Sequence, residues 1–229
     1  YWDGSAWKQR GTDIDGEAAA DYLGYSVSLN KSTGTVLAVG AIYNDGTGTD
    51  AGHVRVYAWD GSAWAERGTD IDGEAAGDNF GHSVSLNADG TVLAVGAIRN
   101  AGTALGAGHA RVYAWNSGTS SWIQRGSDID GEAAGDESGY SVSLNNNGSV
   151  LAVGAIRNDG TATDAGHVRI YYWDGSQWDQ RGIDIDGAAA HNLSGNSVSL
   201  SGWGSIVAVG APHAGTSYEG HVRIYEFDQ

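Results

Sequence analysis

The sequence predicts an all-β protein, a β-propeller of four four-stranded antiparallel blades. Three observations predict this fold. A unit of about 57 residues recurs four times, and its opening tryptophans, Trp2, Trp59, Trp115 and Trp173, are separated by 57, 56 and 58 residues. Each unit holds strand and turn patterns without a helical period. The two ends of the chain hold complementary parts of one unit.

The repeat units fill the chain as one predicted domain of 229 residues. They cover residues 1–57, 58–113, 114–171 and 172–229. After its opening tryptophan, each unit reads D-I-D-G, then G-x-S-V-S-L, then A-V-G-A and finally G-H-x-R-x-Y. Agreement among the four copies indicates positions that the fold or the function requires.

Four strands are predicted within a unit. Residues 83–86 alternate polar and apolar side chains, and residues 92–95 are uniformly apolar, which is typical of a strand covered on both faces. The turn signal Asp89-Gly90 joins them. Residues 53–57 alternate again as a third strand, and Asp60-Gly61 turns the chain into a fourth strand around Trp64.

The phase of the chain ends predicts ring closure. Residues 5–10 correspond to a fourth strand, and residues 221–226 correspond to a third strand. Pairing these two segments completes a blade and leaves no open sheet edge. We therefore expect a closed ring of four blades, with an arc of a larger ring as the alternative.

The composition excludes several classes of function. Without cysteine there is no disulfide, thiol nucleophile or zinc–thiolate site. A formal charge of −16 disfavours nucleic acid and anionic membranes as partners. No apolar run approaches the roughly 20 residues that span a bilayer, so membrane insertion is not expected. Because the chain begins at Tyr1 and not at a methionine, we expect a processed or excised form. A signal peptide removed earlier is one open alternative.

Several words of the sequence resemble the FG-GAP repeat of integrin α-like β-propellers. They are Phe80-Gly81, Val95-Gly96-Ala97 and Val209-Gly210-Ala211-Pro212. The resemblance implies a secreted or cell-surface protein that mediates adhesion or ligand recognition. It also implies a calcium loop between the first and second strands. Here that position holds short turns, such as Ala88-Asp89-Gly90, without the necessary carboxylates, so the family's calcium site is not carried over.

The acidic residues concentrate in loops that we place on one face of the predicted disc. The D-I-D-G-E loops have two open interpretations. Carboxylates at alternate positions beside glycine suit Ca²⁺, whereas the same residues also cap backbone N–H groups of tight turns. The fourth copy has Ala188 in place of glutamate. The candidate ligands for calcium are Asp13, Asp15, Glu17, Asp70, Asp72, Glu74, Asp128, Asp130, Glu132, Asp184 and Asp186.

The second candidate site is aromatic. Exposed tryptophans on a repeated scaffold can stack on sugar rings, and the candidates are Trp7, Trp64, Trp122 and Trp178. The alternative is packing between blades. The repeated G-H-x-R histidines and arginines are expected to pack against neighbouring strands, with arginine pairing an aspartate or stacking on tryptophan. The second arginine set, which includes Arg10 and Arg67, is expected to form salt bridges with the acidic loops.

Catalysis is not expected. No serine lies in a G-x-S-x-G elbow between a strand and a helix, and near-identity of four copies disfavours a single active site. We predict a non-catalytic extracellular binding or adhesion module that recognises a protein or glycan through its acidic loop face, with calcium as a candidate stabiliser. A multivalent carbohydrate-binding lectin and a self-assembling scaffold or filament subunit are the alternatives.

Overall fold

The computed structural model describes residues 1–227 and contains β-strands without a helix in that range. Sheet 1 consists of β1 (Leu23–Leu29), β2 (Val36–Ala41), β3 (His53–Trp59), β4 (Trp64–Glu66) and β5 (Ile71–Asp72). Sheet 2 consists of β6 (Phe80–Leu86), β7 (Val92–Ala97), β8 (His109–Asn116), β9 (Ser121–Gln124) and β10 (Ile129–Asp130). Sheet 3 consists of β11 (Ser138–Leu144), β12 (Val150–Ala155), β13 (His167–Trp173), β14 (Trp178–Gln180) and β15 (Ile185–Asp186). Sheet 4 consists of β16 (Ser197–Leu200), β17 (Ile206–Ala211) and β18 (His221–Glu226).

The strand order within a sheet confirms the predicted antiparallel meander. In sheet 1 the order is β1-β2-β3-β4, and Val39 of β2 lies between Val27 of β1 and Arg55 of β3. The prediction of four strands missed β5, β10 and β15. In sheet 1, β5 pairs with the beginning of β3, because Ile71 lies opposite Val54. The acidic word D-I-D is therefore partly strand. None of the residues described forms a helix able to cross a membrane.

Consecutive sheets pack face to face, and the cores lie between them. We call the side of a sheet that contacts the next sheet its rear face, and the opposite side its front face. Three apolar clusters fill the three contacts. Between sheets 1 and 2, Val54 and Val56 of the rear face pack with Phe80, Leu86 and other side chains of the front face. Side chains alternate along a strand, so each sheet has one set of apolar residues on its rear face and another on its front face.

Two glycines of the repeat allow the first strands to approach closely. Gly81 of the Phe-Gly word has a φ of 89°, and a Cβ at Gly40 would overlap its carbonyl oxygen. The same carbonyl accepts a hydrogen bond of 2.7 Å from the Ser26 hydroxyl. Equivalent 2.7 Å bonds join Ser83 and Ser141 to the next sheets. Glycine is required at both positions because any side chain would separate the sheets.

The outer rim of each contact is formed by tryptophan and arginine. Trp64 Nε1 donates to the Arg10 carbonyl at 2.9 Å, and the Arg10 guanidinium lies 4.6 Å from the ring centre of Trp59. Arg67 and Arg125 repeat the arrangement. The expected salt bridges of this arginine set are replaced by stacking, since the guanidinium lies over an indole and donates to a backbone carbonyl.

The structure does not show the predicted ring closure. In the part of the chain that is described, β18 pairs with β17 alone, and sheet 4 has three strands. Residues 5–10 join no named strand, and the antiparallel bridge of this segment is local, between Trp2 and Trp7. One contact of the expected kind does form, because Arg10 lies on Trp59 as Arg67 lies on Trp115. The hydrogen bonds that would join residues 5–10 to β18 are missing.

Candidate functional site

The acidic loops lie together at one edge of each sheet. They are the loop between the second and third strands and the loop that enters the next sheet. Thr47 of the first kind donates to the Gly73 carbonyl at 2.5 Å, and Asn79 of the second kind donates to the Asp50 carbonyl at 3.4 Å. We call this the acidic edge; it comprises residues 12–22, 42–52, 69–79, 98–108, 127–137, 156–166, 183–194 and 212–220.

Three equivalent side-chain clusters occupy the acidic edge. Each contains a glutamate from one entering loop, a histidine and an arginine from a third strand, and an aspartate from the following entering loop. The members are Glu17, His53, Arg55 and Asp70; Glu74, His109, Arg111 and Asp128; and Glu132, His167, Arg169 and Asp184. The clusters join segments about 50 residues apart, so each one fastens two repeat units together.

Arginine holds both carboxylates of a cluster. Arg111 donates through Nε and Nη2 to the two oxygens of Asp128 at 2.8 and 2.7 Å, and it also contacts Glu74. Burial by itself would lower the pKa of Arg111, but its hydrogen bonds to Asp128 and Glu74 outweigh that effect and raise it. Burial would raise the pKa of Asp128, and the bond from Arg111 reverses the direction. The fork geometry makes this a strong pair.

The histidines of the clusters are buried, which disfavours their charged form. Burial lowers the pKa of His53, His109 and His167, although the neighbouring aspartates act in the opposite direction. Each Nδ1 faces an aspartate oxygen at 3.5–3.8 Å and has no hydrogen-bond partner. The sequence-based expectation that these residues pack between strands and that the arginines pair with aspartate is confirmed.

The structure regroups the carboxylates that were predicted as calcium ligands. Residues of one D-I-D-G-E loop do not converge with one another. Instead, Glu17 meets Asp70 of the next loop, and Glu74 meets Asp128. Asp13 accepts a hydrogen bond from Gln9 Nε2 at 2.8 Å and belongs to none of the three clusters. Among the residues described, Asp15 is likewise outside these clusters.

The second aspartate of each loop lies beside an asparagine. Asp72 Oδ1 and Asn44 Oδ1 both lie beside Gly46, where a Cβ would be 3.0 Å from each oxygen. Gly102 and Gly160 repeat this beside Asp130 and Asp186. Burial raises the pKa of Asp72 and Asp130, and the adjacent Asp70 or Asp128 adds to the effect. Each of these asparagines stands three residues after the end of an A-V-G-A word.

The three asparagines also organise the loops. Asn100 Nδ2 donates to Asp78 at 2.9 Å and to Glu74 at 3.4 Å, while its Oδ1 accepts from the Gly102 amide at 2.8 Å. Asp78 in turn accepts from the Ala75 amide at 3.1 Å. The predicted capping role of loop carboxylates is therefore present at Asp78.

The clusters satisfy part of what a metal ion needs. Each offers two carboxylate oxygens and one imidazole nitrogen within 4.8 Å of one another, so the three clusters could hold a metal ion. The arginine between the carboxylates competes for the same oxygens. Calcium takes six to eight oxygen ligands, and a set with imidazole and guanidinium does not fit it. Asp72 and Asn44 offer oxygen ligands alone, because Asp72 Oδ1 and Asn44 Oδ1 both lie beside Gly46, whose amide donates to Asn44 Oδ1.

The candidate sugar-binding tryptophans differ in exposure. Trp64, Trp122 and Trp178 are half-buried and donate to the carbonyls of Arg10, Arg67 and Arg125. Trp7 is 81% exposed and meets Trp2 edge to face at 6.0 Å between ring centres. The packing alternative thus describes three of the four.

Fold and site together define the class of protein: a tandem-repeat all-β scaffold whose sheets pack in series and carry a repeated acidic edge. Residues 9–57 match the FG-GAP repeat. This match confirms the resemblance in the first unit, and the other three units repeat its words. No curated protein matches the chain.

Solved structures with similar chains include two putative 6-phosphogluconolactonases. The protein from Bacteroides fragilis NCTC 9343 is 13% identical with a TM-score of 0.47, over 70% of this chain and 38% of that one. The protein from Bacteroides uniformis ATCC 8492 is 9% identical with a TM-score of 0.48, over 90% of this chain and 68% of that one. This chain therefore spans less than half the length of the first. At these TM-scores neither likeness bears on activity.

Proposed function

We propose that the chain is a non-catalytic binding module that recognises a cationic segment of a protein partner through its acidic edge. The observation that supports this most is the distribution of charge. Of the 28 acidic residues, 20 lie in the loops of this edge. A repeated field of one sign attracts and orients ligands of the opposite sign.

The internal arginines leave a surplus of negative charge. Arg111 pairs with Asp128 and Glu74, whereas Asp130 of the same loop has no arginine partner among the described residues. Burial raises the pKa of Asp130, which means that its ionised form is incompletely solvated. A lysine or arginine of a ligand would stabilise that form. Asp72 stands in the same environment in sheet 1.

A peptide-binding experiment tests the proposal. An oligolysine peptide is titrated into the chain by calorimetry at low and at high salt. We expect saturable binding that weakens as salt rises, because exposed charges are screened over about 10 Å at 0.1 M. The triple variant Asp72→Asn, Asp130→Asn and Asp186→Asn should weaken binding roughly tenfold at low salt.

A matched triple variant controls for net charge. Asp3→Asn, Asp60→Asn and Asp174→Asn remove the same charge from the opposite edge, where each aspartate caps a hairpin turn through Oδ1. Asparagine keeps that acceptor. Equal weakening by both triple variants would mean that only net charge matters and would contradict recognition by the acidic edge.

Calcium is the second candidate ligand of this edge. The supporting observation is that an aspartate Oδ1 and an asparagine Oδ1 lie beside one glycine, as at Asp72, Asn44 and Gly46, and that this arrangement recurs in sheets 2 and 3. There the residues would supply carboxylate and amide oxygens, the ligands that Ca²⁺ prefers. Thermal unfolding with added Ca²⁺ and with chelator tests this. A rise in melting temperature that Asp130→Asn reduces and Asp60→Asn leaves intact supports the site; unchanged melting contradicts it.

The lectin alternative has weaker support. Arginine covers the indole of Trp115 at 4.6 Å, and the Nε1 group of Trp122 is already bonded to the Arg67 carbonyl. Of the four candidates, Trp7 has the most accessible ring. Saturable binding on a glycan array that Trp7→Ala abolishes would favour a lectin.

The non-catalytic and extracellular parts of the proposal have separate support. Three equivalent clusters recur with the same residues, and repetition suits multivalent binding better than one reaction centre. The match of residues 9–57 to the FG-GAP repeat, a repeat typical of secreted and cell-surface proteins, supports a position outside the cell. Fractionation of the native host culture into medium, surface and cell interior tests that position.

A further inference from the structure

Two apolar sheet faces, one at each end of the series, remain uncovered. The rear face of sheet 4 presents Val222 and Ile224, which are 69% and 72% exposed. Their repeat equivalents in sheet 1, Val54 and Val56, are 0% and 4% exposed because sheet 2 covers them. Exposed apolar surface of this kind marks interaction sites.

The front face of sheet 1 is the other half of the same contact. Val27 and Leu29 are 64% and 50% exposed. Leu86 and Leu144, the equivalents of Leu29 in sheets 2 and 3, are at most 1% exposed because a rear face packs on them. The chain forms this contact three times internally and leaves one copy of each half unpartnered.

The polar groups of the contact also recur at the two ends of the series. Within the chain, Ser26, Ser83 and Ser141 donate to the glycine carbonyl of the following sheet. Ser197 is the equivalent donor in sheet 4, and a Cβ at Gly210 would approach nothing closer than Ser197 itself. The carbonyl of Gly24 is the equivalent acceptor in sheet 1. If the rear face of sheet 4 packed on a front face of sheet 1, the Ser197 hydroxyl would donate to the Gly24 carbonyl.

The two ends of the series are also complementary in charge. Arg55, Arg111 and Arg169 pair with the aspartate of the following loop. Arg223 is the fourth member of this series and is exposed, and no ion pair of the described residues includes it. Asp13 is the aspartate of the first loop, and among the described residues its one hydrogen-bond donor is Gln9. The glutamate partner is replaced by Ala188 in this unit, so Asp13 is the one carboxylate in the series that fits Arg223.

The N-terminal segment supplies the strand that sheet 4 lacks. Arg67, Arg125 and Arg181 each donate their amide to the third strand of their sheet at 2.7 Å. Arg10 holds the same place in the repeat and keeps the tryptophan contact of the series, but its segment pairs with no third strand. The carbonyl of Ile224 is the equivalent acceptor in β18.

We propose that a second copy of this chain occupies these faces, head to tail. The front face of sheet 1 and residues 5–15 of the second copy cover the rear face of sheet 4 and extend it with a strand. The interface is heterologous, so it closes into a ring when the rotation permits. Two copies would give eight sheets, the upper end of the usual range of about four to eight blades.

Sedimentation analysis of the chain over a concentration series tests the proposal. We expect a shift from 23.7 kDa for one chain to twice that mass as concentration rises to roughly 100 µM. The variant with Val222→Glu and Ile224→Glu should raise the dissociation constant about 100-fold, because two unpaired charges would be buried. Ile123→Glu is the matched control, since Ile123 is an exposed strand residue that belongs to neither end face.

A charge exchange identifies the register. Arg223→Asp and Asp13→Arg should each weaken association about tenfold, and the chain carrying both changes should associate nearly as the parent does. Circular dichroism confirms that each variant keeps its strands. A chain that stays monomeric at the highest concentration overturns the proposal, and so does association that survives the double glutamate variant or that the charge exchange does not restore.

Discussion

Leu144 and Leu29 hold the same position of the repeat, yet one is buried and the other is half exposed. Leu144 lies between sheets 2 and 3, whereas Leu29 lies on the front face of sheet 1, against which none of the described sheets packs. Identical sequence therefore gives different burial, because a strand of this fold is covered by its neighbouring sheet. Interior contacts and end faces form a natural comparison, and the following predictions test it.

The largest difference is expected from truncating the two leucines. Leu144→Ala should lower the free energy of unfolding by about 2–5 kcal/mol, since it opens a cavity in a closed core. Leu29→Ala should cost less than about 1 kcal/mol when copies are kept dilute and separate. Urea unfolding measures both. Equal losses would show that the front face of sheet 1 is covered in solution. At high protein concentration, head-to-tail pairing should bring the loss for Leu29→Ala closer to that for Leu144→Ala.

The next difference concerns the arginines of the third strands. Arg111→Met removes the partner of Asp128 and Glu74 and should cost about 1–3 kcal/mol, because the carboxylates are only partly solvated. Arg223→Met, at the same repeat position on the exposed end, should stay within about 0.5 kcal/mol. The same urea assay with dilute protein compares them. A large loss at Arg223 would mean that its partner lies within one chain.

A smaller difference is expected at the rim tryptophans. Trp122→Phe loses the 2.8 Å bond to the Arg67 carbonyl and weakens the arginine stacking, at a cost of about 1–2 kcal/mol. Trp7→Phe replaces an indole that is largely in solvent and should change stability by less than about 0.5 kcal/mol. Thermal unfolding ranks the two. If they are equal, the rim contributes little to holding the sheets together.

The smallest effect at neutral pH is expected from His109. Burial lowers its pKa below the ordinary 6.5, so below that pH the unfolded chain binds a proton that the folded chain resists. Stability is therefore complete above pH 6.5 and falls as the pH falls below it. Arg111 opposes the proton, whereas Asp128, Glu74 and Asp130 favour it without prevailing.

The decrease in melting temperature from pH 7.5 to pH 5.5 measures this pH-dependent fall in stability. His109→Asn should reduce that loss, and His53→Asn should do the same because burial acts there too. His221→Asn, on the less buried third strand of sheet 4, serves as the control. An unchanged pH dependence in His109→Asn and His53→Asn would mean that other groups cause the loss.

The local elements of the fold were predictable from the residues. The turn at Asp89-Gly90, the buried strand at 92–95 and the hairpin at Asp60-Gly61 all appear where expected. Each depends on neighbours within a few residues, through alternation or a positive φ. The short strand β5 was missed, because Ile71 and Asp72 alone make too short a pattern to separate from a loop.

The candidate site was predictable only in its residue types. The acidic loops do gather at one edge, but the expected grouping of Asp70 with Glu74 is replaced by Glu17 with Asp70. Sequence spacing favoured neighbours in the chain. The structure instead brings together residues more than 50 positions apart, because Arg55 lies between them and binds both.

By itself the sequence determined the repeat, the strands, the turns and the glycines at the close contacts, because these follow from local periodicity and backbone freedom. Only the tertiary structure decided which carboxylates share an arginine, that Arg67 stacks on Trp115, and that Val222 and Leu29 remain uncovered. The physical reason is that burial and ion pairing depend on what lies across space from a residue. The sequence of one repeat unit does not determine the burial or the ion pairs of its residues, because the four units are nearly equal. Those properties change with the place of the sheet in the series.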